Sequence, residues 1–561
     1  MFLRWPAQPR RRQLTQRARS TYRTAVSRLP SHCNPKSAEF ARNRAHMHGL
    51  LEQLQQRLAA VRAHGGPAAL KKIAKRGKLS PRERVERLLD RDGDFLELSP
   101  LAAHDQYDNE APGGGVITGV GKVSGRWVMI SGNDTRVKGG AIYPLSADKM
   151  IRAQAVAKEN GLPTVGLVES AGANLLYQAE LFAPGNRGGR GFCNQARMSA
   201  MGLPQIALVF GNATAGGAYV PGMSDYTVMV KGQAKVFLAG PPLVKAATGA
   251  DTDDETLGGA EMHHTVSGLC DYLAEDDADC IRIGRQIVAN LTGPTHTVPR
   301  DNPVDPAYDP EELLGIVPPD LKTPFEIREV MARLIDGSEF DEFRPGYGPT
   351  LVCGFARVDG FLVGVIGNNG PIFSESALKA THFIQLCCQK RRPIIYLQNI
   401  TGFMVGVAAE RGGIVKDGAK MVHAVATASV PQFTVLVGGS FGAGNYGMCG
   451  RAYDPRLLLT WPTSRIAVMG GEQAARVLRI VQEEALRKMG ITADASEIAQ
   501  MEAGVRAEFE RQSDPYYATA QLWDDGIIDP RQTRQALSVG LQAAWQRDIN
   551  AVPPHFGVFR M

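Results

Sequence analysis

Leu203-Pro-Gln-Ile-Ala-Leu-Val-Phe-Gly211 and Val430-Pro-Gln-Phe-Thr-Val-Leu-Val-Gly438 are two copies of one pattern, 227 residues apart. Each begins at a Pro, runs through a short apolar stretch and stops at a Gly. A brief apolar run between such residues reads as a strand buried on both faces. The same offset places Gly216-Gly217 on Ala443-Gly444. Flanking segments repeat as well. Ile117-Thr-Gly-Val-Gly-Lys-Val-Ser-Gly125 lines up with Val352-Cys-Gly-Phe-Ala-Arg-Val-Asp-Gly360 at 235, which carries Asn133 onto Asn368. Leu162-Pro-Thr-Val-Gly-Leu-Val-Glu169 matches Arg392-Pro-Ile-Ile-Tyr-Leu-Gln-Asn399 at 230, and Gly172 matches Gly402. The drift in offset implies only small deletions.

Short Val/Ile/Leu strands alternating with helical stretches predict an α/β fold, internally duplicated. Each Pro-initiated strand ends in a Gly-rich turn that enters a helix, where backbone N–H groups sit at the positive end of the helix dipole. An isolated Gly pair does no more than permit a tight turn. Its recurrence in both repeats points instead to two anion sites. Eight prolines between Pro294 and Pro324 interrupt any regular element and mark a connection. The predicted organisation is a basic extension at 1–30, an N-terminal domain at 31–295, a Pro-rich connection at 296–324 and a C-terminal domain at 325–561. Ahead of the repeats, Leu50, Leu51, Leu54, Leu58 and Val61 predict an amphipathic helix from Arg42 to Ala63.

Composition narrows the function. With 44% hydrophobic and 21% charged residues among 561, the chain is not disordered. Apolar runs such as Ile206 to Phe210 fall far short of the roughly 18 residues of a membrane span. Eight Cys form no CxxC pair, and Cys387-Cys388 has no zinc spacing, so reduced thiols and no metal are expected. Net charge is +6, yet nine of the 63 basic residues lie in residues 1–36, where no acid occurs. The remainder is nearly neutral, which argues against nucleic acid or a membrane surface as partner. The Arg-rich stretch from Met1 to Leu29 fits an organellar presequence, an upstream start or an extension. A cytoplasmic location in a bacterial cell is the first expectation, and the mitochondrial matrix is the alternative.

Several chemistries drop out. No GxxxxGK[ST] is present, and Gly119-Val-Gly121-Lys-Val-Ser-Gly125 has the wrong spacing for a dinucleotide turn. Gly438-Gly-Ser-Phe-Gly442 matches GxSxG after a strand, which raises a serine acyl hydrolase using Ser440. That class needs a later acid and then a His, and His555 is the one His that follows. The repeat partner of Ser440 is Ala213. What remains is catalysis by paired backbone amides that hold an enolate or oxyanion beside a carbonyl. Glu169 and Asp225 lie near the turns as alternative bases, and structural roles are expected for both.

Thr214-Ala-Gly-Gly-Ala-Tyr-Val-Pro221, Phe237-Leu-Ala-Gly-Pro-Pro-Leu-Val-Lys-Ala-Ala-Thr-Gly249, Leu257-Gly-Gly-Ala260, Asn399-Ile-Thr-Gly-Phe-Met-Val-Gly406 and Gly442-Ala-Gly-Asn-Tyr-Gly-Met-Cys-Gly450 resemble the carboxyltransferase (β) subunit of biotin-dependent acyl-CoA carboxylases. The nearest branch is the 3-methylcrotonoyl-CoA and geranyl-CoA carboxylases, and the likeness runs from about Ser31 to Met561. It implies tandem crotonase-like ββα-spiral domains and a homo-hexameric β core carrying biotinylated α subunits. It also implies active sites shared between the N domain of one subunit and the C domain of another. By the same resemblance, Gly216 and Gly217 supply amides for the acyl-CoA thioester oxygen, and Ala443 and Gly444 those for the ureido oxygen of biotin. Gly188, Ala171, Gly172, Phe192 and Lys245 are the implied substrate-binding positions. The implied mechanism uses no protein acid or base: carboxybiotin supplies CO2 and the proton acceptor, and the substrate carbanion attacks CO2. The chain has no Ala-Met-Lys-Met biotinylation site, only the partial Ala419-Lys-Met421, so the biotin belongs to a partner.

Substrate choice turns on Arg187-Gly-Gly-Arg-Gly-Phe-Cys-Asn-Gln195. The 3-methylcrotonoyl type resembles His-Phe-Gly-Arg-Ile-Phe-Tyr-Asn-Gln here, so Gly188 stands where a Phe is found. Removing a ring makes room for a longer acyl chain, each buried methylene being worth about 0.8 kcal/mol. Glu169-Ser-Ala-Gly-Ala-Asn-Leu-Leu-Tyr-Gln178 is also similar to the geranyl form. Gly367-Asn-Asn-Gly370 is closer to the methylcrotonoyl form. A geranyl-CoA type substrate is expected first, with 3-methylcrotonoyl-CoA as the alternative.

Overall fold

Ser27–Arg28 (β1) opens the described part of the chain by pairing with residues more than 300 positions away, Ser27 opposite Phe340 and Arg28 opposite Glu339. The computed structural model describes residues 27–549 apart from 92, 183, 294–297 and 490–493. Eight strands build the N-terminal sheet in the sequence interval 95–274. They are β2 (Phe95–Leu98), β3 (Val116–Val123), β4 (Arg126–Asn133), β5 (Thr164–Ser170), β6 (Gln205–Thr214), β7 (Tyr226–Val230), β8 (Lys235–Phe237) and β9 (Tyr272–Ala274). Their order is β2-β3-β4-β5-β6-β7-β9, with β8 on the far half of β6. The second sheet uses β10 (Glu339–Glu342), β11 (Leu351–Val358), β12 (Phe361–Asn368), β13 (Ile394–Ile400), β14 (Gln432–Phe441), β15 (Leu457–Thr460) and β16 (Arg465–Ala467). Its order is β1-β10-β11-β12-β13-β14-β15, with β16 on β14.

The duplication extends to the register. In the two antiparallel hairpins, Val116 faces Asn133 and Leu351 faces Asn368, both pairs 235 apart. In the parallel pairs the partners step from Val168/Val209 to Ser170/Ala213 and from Gln398/Leu436 to Ile400/Ser440. Both central strands thus carry two extra residues at one place. Such an irregularity turns a strand. β6 then leaves β7 and pairs with β8, as β14 leaves β15 for β16. Each Gly-rich turn therefore follows the part of the strand that has left β7 or β15.

Each half has a buried cluster of its own, and a further cluster joins them. One buried cluster takes Val120, Trp127 and Val156 from the first half together with Phe433, Trp461 and Val539 from the second. The helix predicted from Arg42 runs Ala38–Arg62, with Ser37 Oγ accepting from the Phe40 amide at 3.1 Å. It buries Met47, Leu51 and Leu54 against Leu101, Leu314 and Tyr516, so it too joins both halves. Residues 27–30, assigned by sequence to the extension, belong to the body: Leu29 is buried, and its carbonyl accepts from the Tyr308 hydroxyl at 2.8 Å. The rest of the basic arm lies outside the described residues.

Candidate active site

The first turn begins where β6 ends. Ala215, at φ +51°, redirects the chain, and Gly216 and Gly217 enter the helical turns Ala215–Ala218 and Tyr219–Gly222. The first N–H groups of a helix have no acceptor within it. A Cβ built on Gly216 would stand 3.7 Å from Phe192 Cζ, and one on Gly217 3.6 Å from the Ser170 side chain. Those are ordinary contact distances. The fold does not demand glycine at either place, and what the missing side chains leave is backbone open to an approaching group.

The second turn follows β14 through Gly442, at φ +56°, into the helix Ala443–Gly447. Ala443 is exposed, and Gly444 is buried. Here packing does require glycine, because a Cβ on Gly444 would lie 2.5 Å from Ile400 Cγ1 and 3.1 Å from Gly402 Cα. Beneath each turn the chain leaving β5 or β13 makes its own left-handed glycine, Gly172 at φ +84° and Gly402 at φ +129°. Their carbonyls accept from the Ile142 amide at 2.9 Å and the Ile372 amide at 3.0 Å. In the first half Ser170 Oγ also accepts from the Gly172 amide at 3.1 Å and donates to the Gly140 carbonyl at 3.0 Å.

The side chains considered as acids, bases or nucleophiles are all engaged structurally. Glu169 accepts from Lys78 Nζ and Arg84 Nη1, each at 2.7 Å, and Arg84 also reaches Asp277 at 2.9 Å while stacking over Phe210. Its repeat partner Asn399 accepts from the Gly439 amide at 3.1 Å. Asp225 accepts from Ser199 Oγ at 2.6 Å and the Gln205 amide at 2.7 Å. Ser440 is fully buried, donating to Gln398 Oε1 at 2.6 Å and accepting from Asn445 Nδ2 at 2.7 Å. That environment contradicts a nucleophile, and His555 lies outside the described residues.

Among the implied substrate positions, Phe192 packs edge-to-face on Tyr219 at 5.8 Å, beside Gly216. Ala171 is exposed, and Lys245 projects from the helix Pro241–Thr248 with its ammonium 2.6 Å from Asp251. Gly188 requires a change of reading. It caps the helix Gly189–Ala200 at φ +43°, and a Cβ there would strike the Leu181 carbonyl oxygen. In the other repeat the helix Ile414–Ala426 is also preceded by a positive-φ glycine, Gly413 at φ +87°, but there a Cβ would meet nothing nearer than 3.8 Å. The absence of a side chain at Gly188 is therefore a backbone requirement before it is a matter of pocket volume.

Two features escaped sequence reading although a signal was present. Lys149 and Lys379 are repeat partners at the offset of 230, and both are buried. Lys149 Nζ donates to the Gly113 and Val116 carbonyls at 2.8 and 2.6 Å, and Lys379 Nζ to the Leu351 carbonyl at 2.8 Å. Burial pushes the Lys149 ammonium down to about 8. The second feature is a set of exposed apolar residues beside the turns at equivalent positions: Leu175 and Val405, Tyr219 and Tyr446, Leu238 and Val468.

The carboxyl transferase domain family matches residues 72–559. The chain is 50% identical over 551 residues to a probable mitochondrial methylcrotonoyl-CoA carboxylase beta chain of Drosophila melanogaster, covering 95% of each. It is 52% identical over 514 residues to the biotin-dependent 3-methylcrotonyl-coenzyme A carboxylase beta1 subunit of Mycobacterium tuberculosis, 91% of this chain and 97% of that one. The crystal structure of the P. aeruginosa geranyl-CoA carboxylase beta subunit superposes with a TM-score of 0.87 at 46% identity, over 95% of this chain and 99% of that one. Crotonase-like layers, duplicated amide turns and these matches agree: the chain belongs to the carboxyl transferase family and is the carboxyltransferase subunit of a biotin-dependent acyl-CoA carboxylase.

Proposed function

We propose that this subunit carboxylates a branched α,β-unsaturated acyl-CoA, using CO2 delivered as carboxybiotin by a separate biotinylated subunit. The observation that carries this reading is the open backbone at Gly216 and Gly217, left bare where the fold tolerates a side chain. On this reading their N–H groups donate to the thioester oxygen as it gains negative charge on deprotonation of the neighbouring C–H. One well-placed donor is worth roughly 3 kcal/mol in such a transition state. Ser170 contributes indirectly, by fixing the Gly172 turn beneath them.

Ala443 and Gly444 are assigned to the ureido oxygen. Val405, Tyr446 and Val468 give that turn an apolar rim suited to a hydrophobic bicyclic ring. Biotin held there would supply both the CO2 and the proton acceptor. Lys420 does not carry it here: in the helix Ile414–Ala426 its ammonium is paired with Asp417 at 3.1 Å and is only 11% exposed.

The matching apolar rims support a hexameric core in which the N-terminal half of one subunit covers the C-terminal half of another. A rim of this kind also excludes water, which strengthens amide–oxyanion contacts. A bacterial cytoplasmic location is retained, with the mitochondrial matrix as the alternative reading of the arginine-rich arm.

The acyl group is assigned to the geranyl type on the likeness of the Glu169–Gln178 stretch to that form and on the departure of the Arg187–Gln195 stretch from the methylcrotonoyl form, not on volume at Gly188. Identity of 50% and 52% to methylcrotonoyl-CoA carboxylase chains favours the shorter substrate as a second reading. Combining the chain with its biotinylated partner, ATP and bicarbonate, and comparing geranyl-CoA with 3-methylcrotonoyl-CoA, separates them by the ratio of kcat/KM. Carboxylation of neither overturns the proposal.

A further inference from the structure

Arg187 donates from Nε to Asp148 Oδ1 at 2.8 Å and from Nη2 to Asp148 Oδ2 at 2.7 Å. Both side chains are about three-quarters buried, at 23% and 25% exposure. A two-pronged guanidinium–carboxylate pair has a fixed planar geometry that a single ammonium contact lacks. Asp148 belongs to the helix Pro144–Asn160, and Arg187 immediately precedes Gly188, the cap of the helix Gly189–Ala200.

That second helix carries Phe192, whose ring borders Gly216 and Tyr219. It is also held along its length by hydrogen bonds, up to Ser199 on Asp225 near its far end. Gln154 Nε2 donates to the Gly191 carbonyl at 2.9 Å, and Gln195 Nε2 donates to the Val220 carbonyl at 2.8 Å, just past the first turn. The Arg187–Asp148 pair adds a charged clamp just ahead of its first residue, where the chain also closes on itself by packing Gly188 against the Leu181 carbonyl. The second repeat has Leu378 at the position equivalent to Asp148. The clamp is thus confined to the half assigned to the acyl-CoA.

We propose that Arg187 and Asp148 form a positioning pair for acyl selection, holding the start of the Phe192 helix and with it the place of the Phe192 ring beside Gly216, past which the acyl chain runs. Neither residue touches the reacting atoms. The proposal rests on the acyl-CoA carboxylase reading above. An extended chain contacts the Phe192 ring over more of its length than a five-carbon group does, so loosening this helix falls mainly on the longer substrate.

The test uses the chain assembled with its biotinylated partner, ATP and bicarbonate, with geranyl-CoA and 3-methylcrotonoyl-CoA as probes. The variants are Asp148→Asn, Arg187→Lys and the exchanged pair Asp148→Arg with Arg187→Asp. Each single variant is expected to lower the geranyl-to-methylcrotonoyl ratio of kcat/KM at least fivefold, chiefly through KM, and the exchanged pair to restore it to within threefold of wild type. A ratio within twofold of wild type in both single variants, or an equal decline for both substrates, overturns the proposal. So does an exchanged pair that folds and remains as unselective as the single variants. Wild-type enzyme inactive on both probes defeats the carboxylase reading itself, and is told apart because no variant is needed to see it.

Discussion

Ser170 and Ile400 occupy the same place in the two repeats, and each lies directly beneath a glycine of its turn. Ser170 leaves 3.6 Å to a Cβ on Gly217, whereas Ile400 leaves 2.5 Å to a Cβ on Gly444. One turn is roomy at its base and the other is packed tight.

Alanine substitution therefore separates catalysis from folding. Gly217→Ala is expected to keep the wild-type melting temperature within a few degrees while lowering kcat by roughly a hundredfold or more, the scale of one lost oxyanion donor. Gly444→Ala overpacks against Ile400 and is expected to cost about 1–3 kcal/mol of stability as well. Thermal unfolding and steady-state kinetics on both variants check the contrast.

Ser440→Ala is expected to retain carboxyl transfer. Its hydroxyl joins Gln398 to Asn445 in a dry environment, so removal leaves both partners short of a bond and costs about 1–3 kcal/mol of stability. Loss of activity without loss of stability, or thioester hydrolysis by wild type in the absence of biotin, would restore the hydrolase reading.

A pH dependence follows from adjacent carboxyls with opposite shifts. Asp525 sits between Arg152 of the first half and Arg451 of the second, at 2.7 and 2.9 Å, and lies well below the usual carboxylate range. Although burial opposes ionisation, the two guanidinium groups outweigh it. Asp524 is pushed up to about 6 by burial. A carboxyl raised in the folded state stabilises below its unfolded pKa, and that stabilisation is lost as pH rises through about 6. Asp524→Asn keeps an acceptor for the Gly526 amide. It is expected to raise the melting temperature at pH 8, by up to about 3 kcal/mol in stability, with the gain fading toward pH 4. A pH-independent effect in a melting series refutes the assignment. Asp525→Asn strands two arginines and is expected to destabilise at neutral pH by about 3–5 kcal/mol.

Assembly is expected to depend on the apolar rims. Light scattering on the purified chain should give a mass several times 60.6 kDa. Leu238→Asp or Val468→Asp places a charge where that contact forms, and each is expected to yield smaller species with unchanged circular dichroism and reduced activity. A fully active monomer would exclude shared sites.

The sequence by itself determined the duplication, the α/β layering, the position of both Gly-rich turns and the family. These are written in short range: a Pro, a buried strand and a glycine turn within a dozen residues, repeated at offsets of 235 to 227. It also contained the Lys149–Lys379 repeat, which carries meaning only once both ammonium groups are seen on strand carbonyls. What the tertiary structure alone decided depends on distant segments meeting. Ser27 joins Phe340, and Asp525 holds Arg152 across the two halves. Ser440 loses its GxSxG significance because Gln398 and Asn445 enclose it. Gly188, which in sequence resembles an emptied pocket, is dictated by its left-handed backbone against Leu181. A glycine in sequence cannot announce whether it clears space for a ligand, a neighbour or its own chain, because that depends on what the fold brings within about 3 Å of its missing Cβ, and no local pattern encodes that distance.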